Sequence, residues 1–275
     1  MSEVRKTYKM FVGNSFVRSE SGRTYSLEQK NEVIELPQAS KKDVRDAVSS
    51  AKKGYFSWSS LTPYNRAQIL YRLSEMVEGR KLSYVQILKE SGINTSKAKK
   101  DIDEAIEVLI WYSGIADKWE QLSGNLNPVA GSYFNISHQE PLGVSFVFSR
   151  GNLSLKSLLL SLLPPLSVGC SVISLTREAG VLAIMLAEDI HNSDMPPGAL
   201  NILTGDYEGI VEDISKHVEI KGIGVSLDFN NDDYTKIQSN GSESVKRVFK
   251  LNESMNLLSL NPYLETKTVW HPKGK

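Results

Sequence analysis

Apolar side chains recur every three or four positions in the amino-terminal part of the chain, which is the spacing of amphipathic helices. The first such segment follows Ser40, a favourable N-cap residue, and the second begins at Pro63, which suits a first helical turn. Before these helical segments, a stretch of alternating apolar and polar residues surrounds a Gly13-Asn14 turn, as in a β-hairpin. The pattern therefore predicts a hairpin over 9–17 and helices over 39–58, from Pro63 to Val77 and over 96–121.

The pattern changes after a breaker cluster at 124–128, where short apolar runs begin to alternate with helical segments. The predicted strands are 144–148, 172–175, 200–204 and 222–225, with 133–137 as a further candidate, and the predicted helices are 155–166, 181–192, 208–216 and 233–247. Such alternation is typical of an α/β protein with a mainly parallel sheet. We therefore expect an open, doubly wound Rossmann-like sheet, with a ligand crevice at the carboxyl ends of its strands.

The composition is that of an ordinary globular protein. Of 275 residues, 40% are apolar and 23% are charged, and 32 basic side chains balance 32 acidic ones. A net charge of zero gives no overall attraction for nucleic acid or for an acidic membrane surface. The start lacks the apolar stretch of a signal peptide, and the most apolar segment, 153–168, is interrupted by Lys156 and two prolines. We therefore expect a cytoplasmic protein that binds neither nucleic acid nor membranes.

Few residues suggest chemistry by themselves. Cys170 is the only cysteine, and the four histidines do not cluster with it, so the sequence predicts neither a disulfide nor a metal site. Gly222 and Gly224 lack the third glycine of a dinucleotide-binding motif and lie on a predicted strand. The motifs of P-loop proteins, zinc proteases and serine hydrolases do not occur. Residue patterns alone therefore reveal no active site.

Several motifs in a fixed order do resemble a known family. The chain carries EPLGV at 140–144, LLPPLSVGC at 162–170 and MPPGALNILTG at 195–205, and the segment 149–154 takes the place of the family's PWNFP turn. These motifs resemble the cofactor domain of the aldehyde dehydrogenase superfamily, whose members are NAD-dependent oxidoreductases. The likeness covers most of residues 8–226.

The resemblance implies a cofactor site that has lost some of its donors. Glu178 keeps the place of a ribose-binding glutamate, but Leu175 stands where the family has a lysine. At the family's pyrophosphate turn, Ser226 is followed by Asp228, and a carboxylate about 4–6 Å from a pyrophosphate costs on the order of 1 kcal/mol. The vestigial cofactor-binding residues are then Ser149, Asn152, Glu178 and Ser226. We expect no required cofactor and, at most, weak binding of NAD.

The resemblance also implies a defective catalytic site. Lys250 occupies the position of the general-base glutamate. The family's nucleophilic cysteine has no counterpart, since Cys170 aligns with a helix-to-strand junction that is far from the nucleophile in the order of the motifs. Asn152 matches the asparagine that stabilises the oxyanion, but without a nucleophile we favour a role in capping the following helix. Arg150 stands where the family has a tryptophan; we favour a solvated surface charge, and the alternative is a side chain that points into the crevice. The isolated chain is therefore predicted to be inactive.

The carboxyl-terminal segment is similar to the last strand of the same family, which pairs across a subunit interface. The residues from Thr266 to Trp270 alternate, as do those from Tyr133 to Ser137, so we expect a small oligomerisation ribbon and a missing catalytic domain. The alternative is a terminal strand folded against its own domain. The predicted divisions are 1–124 (hairpin and helical layer), 125–140 (oligomerisation strand), 141–256 (degenerate NAD-binding-type domain) and 257–275 (second oligomerisation strand).

Taken together, the resemblance implies a truncated, non-catalytic homologue similar to the second module of two-module aldehyde dehydrogenases. We expect a regulatory or assembly role, as a homo-oligomer or in a hetero-oligomer with a full-length aldehyde dehydrogenase through the two strands. Two alternatives remain open. The chain could be a degenerate module that binds NAD or another adenine nucleotide, or it could be part of an active enzyme whose catalytic chain is supplied in trans.

Overall fold

A computed structural model describes residues 6–30, 32–123, 125–149 and 152–274. A β-hairpin and a second strand pair come first, followed by five helices. The elements are β1 (Met10–Val12), β2 (Ser15–Val17), β3 (Thr24–Glu28), β4 (Val33–Pro37), α1 (Lys41–Ser59), α2 (Pro63–Gly79), α3 (Lys81–Glu90), α4 (Thr95–Ala116) and α5 (Trp119–Ser123). Ser40 caps α1 by accepting a hydrogen bond from the backbone N–H of Asp43, as the sequence predicts.

The second half of the chain alternates strands and helices. Its elements are β5 (Asn125–Asn127), β6 (Tyr133–Pro141), β7 (Val144–Ser149), α6 (Leu155–Val168), β8 (Ser171–Thr176), α7 (Gly180–His191), β9 (Leu200–Thr204), α8 (Val211–Lys216), β10 (Ile220–Val225), α9 (Asn231–Ser242), β11 (Arg247–Lys250), a 3₁₀ helix (Leu257–Tyr263) and β12 (Leu264–Pro272). The α/β prediction is therefore confirmed.

The main sheet has seven strands in the order β11-β10-β7-β8-β9-β1-β2. Strands β7 to β11 run parallel, whereas β1 pairs antiparallel with both β9 and β2, so the sheet is mixed. The chain begins the parallel part at β7, proceeds through β8 and β9 on one side, and then crosses to β10 and β11 on the other. The strand order therefore reverses between β7 and β10, which is where doubly wound sheets open a crevice.

The predicted amino-terminal helical layer is divided between the two faces of the sheet. Helix α1 packs on one face, where Val44, Ala47 and Val48 share a core with side chains of β7, β8 and β10. Helices α2 and α4 lie on the other face, where Leu70 and Leu109 share a second core with α6 and α7. The amino-terminal helices thus belong to the same hydrophobic cores as the sheet.

Two predicted helices end earlier than their patterns suggest. The helix predicted over 96–121 ends at Ala116, where the N–H of Lys118 turns back to the carbonyl of Ile115 at 2.9 Å. The helix predicted over 233–247 ends at Ser242, and Val245 then adopts a φ of 53°. The change of backbone direction at Val245 allows β11 to pair in parallel with β10. The pairing between strands therefore overrides the helical pattern of the sequence at this point.

A separate three-stranded sheet, in the order β12-β6-β5, combines the two predicted ribbon strands. All nine residues of β12 pair antiparallel with β6, including Thr268 opposite Ser137. The breaker cluster is not wholly a loop, because β5 adds a third strand along residues 135–137 of β6. Within the described ranges, no helix is long and apolar enough to cross a membrane.

Candidate functional site

A crevice of about 230 Å³ opens at the carboxyl ends of β7 and β10, where the strand order reverses. Phe148 and Val225 are register partners, and the backbone N–H of Ser226 donates to the carbonyl of Phe148 at 3.3 Å. The described lining residues are Ser149, Asn152, Ser157, Leu158, Leu160, Ser161, Thr176, Ala179, Ser226, Leu227, Asp228, Leu251, Asn252 and Glu253. The crevice lies where the order of the strands predicts it.

Three of the four predicted cofactor-binding residues meet at this crevice. Ser149, Asn152 and Ser226 line it, as does Asp228. Glu178 does not line it, although Thr176 and Ala179 on either side do. The Oε2 atom of Glu178 is buried and has no hydrogen-bond partner in the described part of the chain.

Several serine hydroxyl groups lie in or beside the crevice. The hydroxyls of Ser149 and Ser161 share a hydrogen bond at 2.6 Å, and the Oγ of Ser174 lies 3.5 Å from the Oγ of Ser149. The Oγ of Ser226 is buried and has no hydrogen-bond partner among the residues that the structure describes. A buried hydroxyl without a partner loses its hydration at a cost.

The amino terminus of α6 is occupied by the chain's own groups. Ser154 is the N-cap, since its Oγ accepts from the N–H of Ser157 at 3.1 Å. Asp101, from α4, accepts hydrogen bonds from the Ser154 hydroxyl and from the Leu155 N–H, the latter at 2.8 Å. The interpretation of Asn152 as the cap is therefore wrong, because its side chain is exposed at the crevice while Ser154, two residues later, takes the cap position.

The amino terminus of α9 is occupied in the same way. Asn230 accepts from the N–H groups of Asp232 and Asp233 at 2.8 and 3.1 Å, and the Tyr207 hydroxyl donates to Asp233 at 2.9 Å. The helix dipole at this end is thus already matched by carboxylates in the first turn. An external anion would meet negative charge here, not free N–H groups.

Lys250 does not lie in the crevice. Its ammonium group donates to the carbonyl of Phe229 at 3.2 Å and lies 4.8 Å from the centre of the Tyr234 ring. It therefore fastens the loop between β10 and α9, which carries Asp228. Held in this way outside the described lining of the crevice, Lys250 is not placed to act as a general base there.

The single thiol lies at the opposite edge of the sheet. Cys170 immediately precedes β8, whereas the crevice lies at the carboxyl ends of the strands. Its side chain is fully buried, its Sγ donates to the carbonyl of Tyr263 at 3.4 Å, and burial raises the pKa of the thiol to about 11. Because the nucleophile in acyl transfer is the thiolate, Cys170 is not equipped for that role.

The described residues of the crevice do not offer the groups that usually bind the pyrophosphate of a dinucleotide. A pyrophosphate site uses free N–H groups at a helix start or nearby cations, but α6 and α9 are both capped internally. None of the described lining residues is basic, and two of them, Asp228 and Glu253, are acidic. Leu175, at the position of the family's lysine, is buried beside a cavity of about 20 Å³. Arg150 lies outside the described residues.

Sequence reasoning missed several residues of this site. Asn252 and Glu253 follow the unpredicted strand β11, so their approach to the crevice could not be foreseen from a helical assignment. Ser157 and Ser161 lie four residues apart on α6, which puts both on the same face of the helix. That spacing of serines in an otherwise apolar helix was the available signal.

The three-stranded sheet forms a second candidate site. Phe134, Ile136, Val269 and Leu126 expose 44%, 46%, 50% and 65% of their surface, and strand alternation with the register puts them on one face. Tyr133 and Trp270 lie on the other face, with ring centres 5.8 Å apart. Of the two predicted ribbon strands only β12 has a free edge, because β6 is the central strand and β12 and β5 form the edges.

Comparison with known proteins gives a consistent answer. The model of the aldehyde dehydrogenase family matches residues 16–249. Omega-crystallin of Enteroctopus dofleini is 28% identical over 255 residues (88% of this chain, 50% of that protein), and an aldehyde dehydrogenase of Alternaria alternata is 30% identical over 222 residues (78% and 44%). The structure of a Bacillus cereus aldehyde dehydrogenase with NAD⁺ shares the fold, with a TM-score of 0.82, 22% identity and coverage of 89% of this chain and 50% of that one.

The chain spans about half the length of the curated relatives that it matches. Because the family model extends over most of its residues, the chain belongs to the aldehyde dehydrogenase family.

Proposed function

We propose that this chain is a non-catalytic member of the family that acts in assembly, as a regulatory or oligomerisation subunit. The observation that supports this role is the sheet of β12, β6 and β5. Its edge strand β12 is nine residues long, and every residue after Leu264 is exposed. A long exposed edge is a template on which another chain adds a strand.

Apolar side chains on both faces of this sheet strengthen the proposal. Phe134, Ile136 and Val269 lie side by side on one face, and Trp270 contacts Tyr133 on the other. Contiguous exposed apolar surface of this kind usually marks an interaction site in a soluble protein. Its partner is a second copy of this chain or a full-length aldehyde dehydrogenase. The proposal is tested by the mass of the species in solution, and a chain that stays monomeric alone and in such a mixture contradicts it.

The proposed lack of catalysis gives a direct prediction for the purified chain of 275 residues. Incubated with NAD⁺ and short aliphatic or aromatic aldehydes, it should produce no NADH above the buffer background. Cys170 is the only cysteine, and its raised pKa and burial leave no accessible thiolate. Absorbance at the NADH maximum follows the reaction. Aldehyde turnover that disappears in Asn152→Ala would contradict this part of the proposal.

A second candidate function is nucleotide sensing, in which the crevice binds NAD or another adenine nucleotide without turning it over. The feature that favours it is Glu178, whose buried Oε2 has no described partner and could accept from ribose hydroxyls. With Asp228 at the crevice and both helix starts capped, we expect isothermal titration to detect no NAD⁺ binding below a millimolar dissociation constant. Sub-millimolar binding that Glu178→Ala abolishes would establish the sensor instead.

A further inference from the structure

We propose that two copies of this chain pair antiparallel along the free edge of β12, with Val269 opposite Val269 of the second copy on a twofold axis. The proposal rests on the proposed assembly role and adds to it the partner, the edge and the register. The paired edges join two three-stranded sheets into one, in the order β5-β6-β12-β12-β6-β5. A twofold axis is the commonest symmetry of a homo-oligomer, and an antiparallel strand pair can have that symmetry.

The backbone hydrogen bonds at the two ends of β12 show which of its residues face β6. The N–H of Leu142 donates to the carbonyl of Tyr263 at 2.8 Å, and the N–H of Lys273 donates to the carbonyl of Ser132, also at 2.8 Å. The register between these two contacts is continuous, and hydrogen-bonded pairs alternate with non-hydrogen-bonded pairs along an antiparallel ladder. The odd-numbered residues of β12 therefore bond to β6, and the even-numbered residues direct their N–H and carbonyl groups to the free edge.

Two residues of β12 support this assignment independently. The backbone groups of Leu264, an even-numbered residue, go to partners outside β6, since its N–H donates to the carbonyl of Asn261 and its carbonyl accepts from Arg247. Pro272 is also even-numbered, and a proline is tolerated on an edge strand where its missing N–H would face outward. Both positions agree with a free edge formed by the even-numbered residues.

The register of a second copy is limited by the groups that this edge offers. These groups are the N–H and carbonyl of Thr266, Thr268 and Trp270 and the carbonyl of Pro272. In an antiparallel pair they meet only when even-numbered residues face even-numbered residues. A twofold axis at Thr268 or at Val269 gives each of the three N–H groups a carbonyl of the other copy. An axis farther along the strand leaves one of them opposite Leu264 or beyond Pro272.

The side chains favour the axis at Val269. Within each sheet, Leu126 pairs with Ile136 and Ile136 pairs with Val269. A Val269–Val269 contact continues this row into the second copy, so that apolar side chains cross every strand of the joined sheet. Cross-strand pairs of β-branched residues stabilise a sheet. With the axis at Thr268, Val269 would face Lys267 of the second copy, and an ammonium group would interrupt the row.

The charges along β12 are compatible with the same register. With the axis at Val269, Glu265 of one copy lies opposite Lys273 of the other, and the symmetry repeats this pair. Lys267 lies opposite His271 and keeps Glu140 as its ion-pair partner within its own sheet. Opposite charges that face each other across strands are favourable, whereas an axis at Lys267 would bring two ammonium groups together.

Val269→Cys should therefore form a disulfide with its own copy under mild oxidation and run as a dimer on a non-reducing gel. Opposed residues of a non-hydrogen-bonded pair have Cα atoms about 4.5 Å apart, which is within the reach of a disulfide. Cys170, the only cysteine of the unmodified chain, is fully buried, so it should add no background.

Ile136→Cys and Thr268→Cys are the matched controls. Ile136 is 46% exposed, close to the 50% of Val269, but it lies three strand spacings, or about 14 Å, from its copy. Thr268 faces Trp270 of the second copy, so its own copy is two residues away along the strand and beyond the roughly 7 Å limit for Cα atoms joined by a disulfide. Neither control should crosslink above the level of the unmodified chain.

Sedimentation equilibrium of the unmodified chain, alone and with a complete aldehyde dehydrogenase, separates this proposal from the assembly role. A homo-oligomer in which Val269→Cys crosslinks no more than Ile136→Cys, or in which Thr268→Cys crosslinks instead, overturns the proposed pairing and leaves the assembly role intact. A chain that is monomeric alone but joins the complete enzyme has the same meaning. A chain that stays monomeric in both experiments overturns both proposals.

Discussion

Replacing Gly54 with alanine is expected to destabilise the fold by about 2–3 kcal/mol, the cost of forcing an extra group into a packed core. A Cβ at this position would lie 2.1 Å from the carbonyl carbon of Gly198 and 2.5 Å from the N atom of Ala199. Both are backbone atoms of the turn that leads into β9, so neither can move aside as a flexible side chain would. Urea unfolding followed by circular dichroism measures the change.

Gly114→Ala provides the control for this substitution. Gly114 also lies within a helix, α4, but apart from its chain neighbours and the nearby helix backbone no described atom lies within 4 Å of the position that its Cβ would take. Alanine there should stabilise the fold by about 0.5–1 kcal/mol, because it removes conformational freedom from the unfolded chain. If Gly54→Ala is as stable as Gly114→Ala, α1 does not pack directly on the Gly198 turn.

The second large effect is expected at the three-stranded sheet. Val269→Lys should raise the dissociation constant of the assembly at least tenfold, since an ammonium group buried without a partner costs several kcal/mol. Val269 is 50% exposed and lies on the edge strand β12, directly opposite Ile136 on the central strand of the apolar face. Its exposure means that the fold of the single chain should change little. Sedimentation equilibrium over a range of concentrations gives the constant.

Val218→Lys is the matched control for the sheet variant. Val218 is 63% exposed and lies between α8 and β10, outside the three-stranded sheet. The same charge added there should leave the dissociation constant unchanged. Equal weakening by both substitutions would indicate a general effect of charge, and no weakening by Val269→Lys would place the interface on another surface.

Elements with strong local signals could be predicted from the sequence. The N-cap at Ser40 and the first-turn proline at Pro63 locate the starts of α1 and α2, and β9 has the predicted bounds, 200–204. In each case the local preference and the tertiary packing agree, because the apolar face of the element is the face that it buries. The order of the βα units then predicts where the crevice lies.

Elements that depend on distant partners could not be predicted. Strand β11 is four residues long, and none of its residues is fully buried, so only its parallel pairing with β10 identifies it. Strand β5 is likewise identified by a neighbour, since Asn127 donates to the Ser137 hydroxyl at 2.7 Å. Short strands of this kind carry too few residues for a period of two to be recognised.

The candidate site shows the same division. The order of the family's motifs along the chain predicts that Ser149, Asn152 and Ser226 approach one another, and these three residues line one crevice. The contact of Asp101 with the start of α6 links residues 54 positions apart, and no local pattern announces it. That contact changes the chemistry most, because it removes a helix terminus from the set of groups that could bind an anion.

The central claim is that the chain functions by assembly and not by catalysis. Light scattering on the purified chain, alone and mixed with a complete aldehyde dehydrogenase from the same source, tests it most directly when mass and NAD-dependent activity are recorded together. We predict a mass above that of one chain, as a homo-oligomer or as a mixed complex, with all activity residing in the complete enzyme. A chain that remains monomeric over a wide concentration range and forms no mixed complex would contradict the claim.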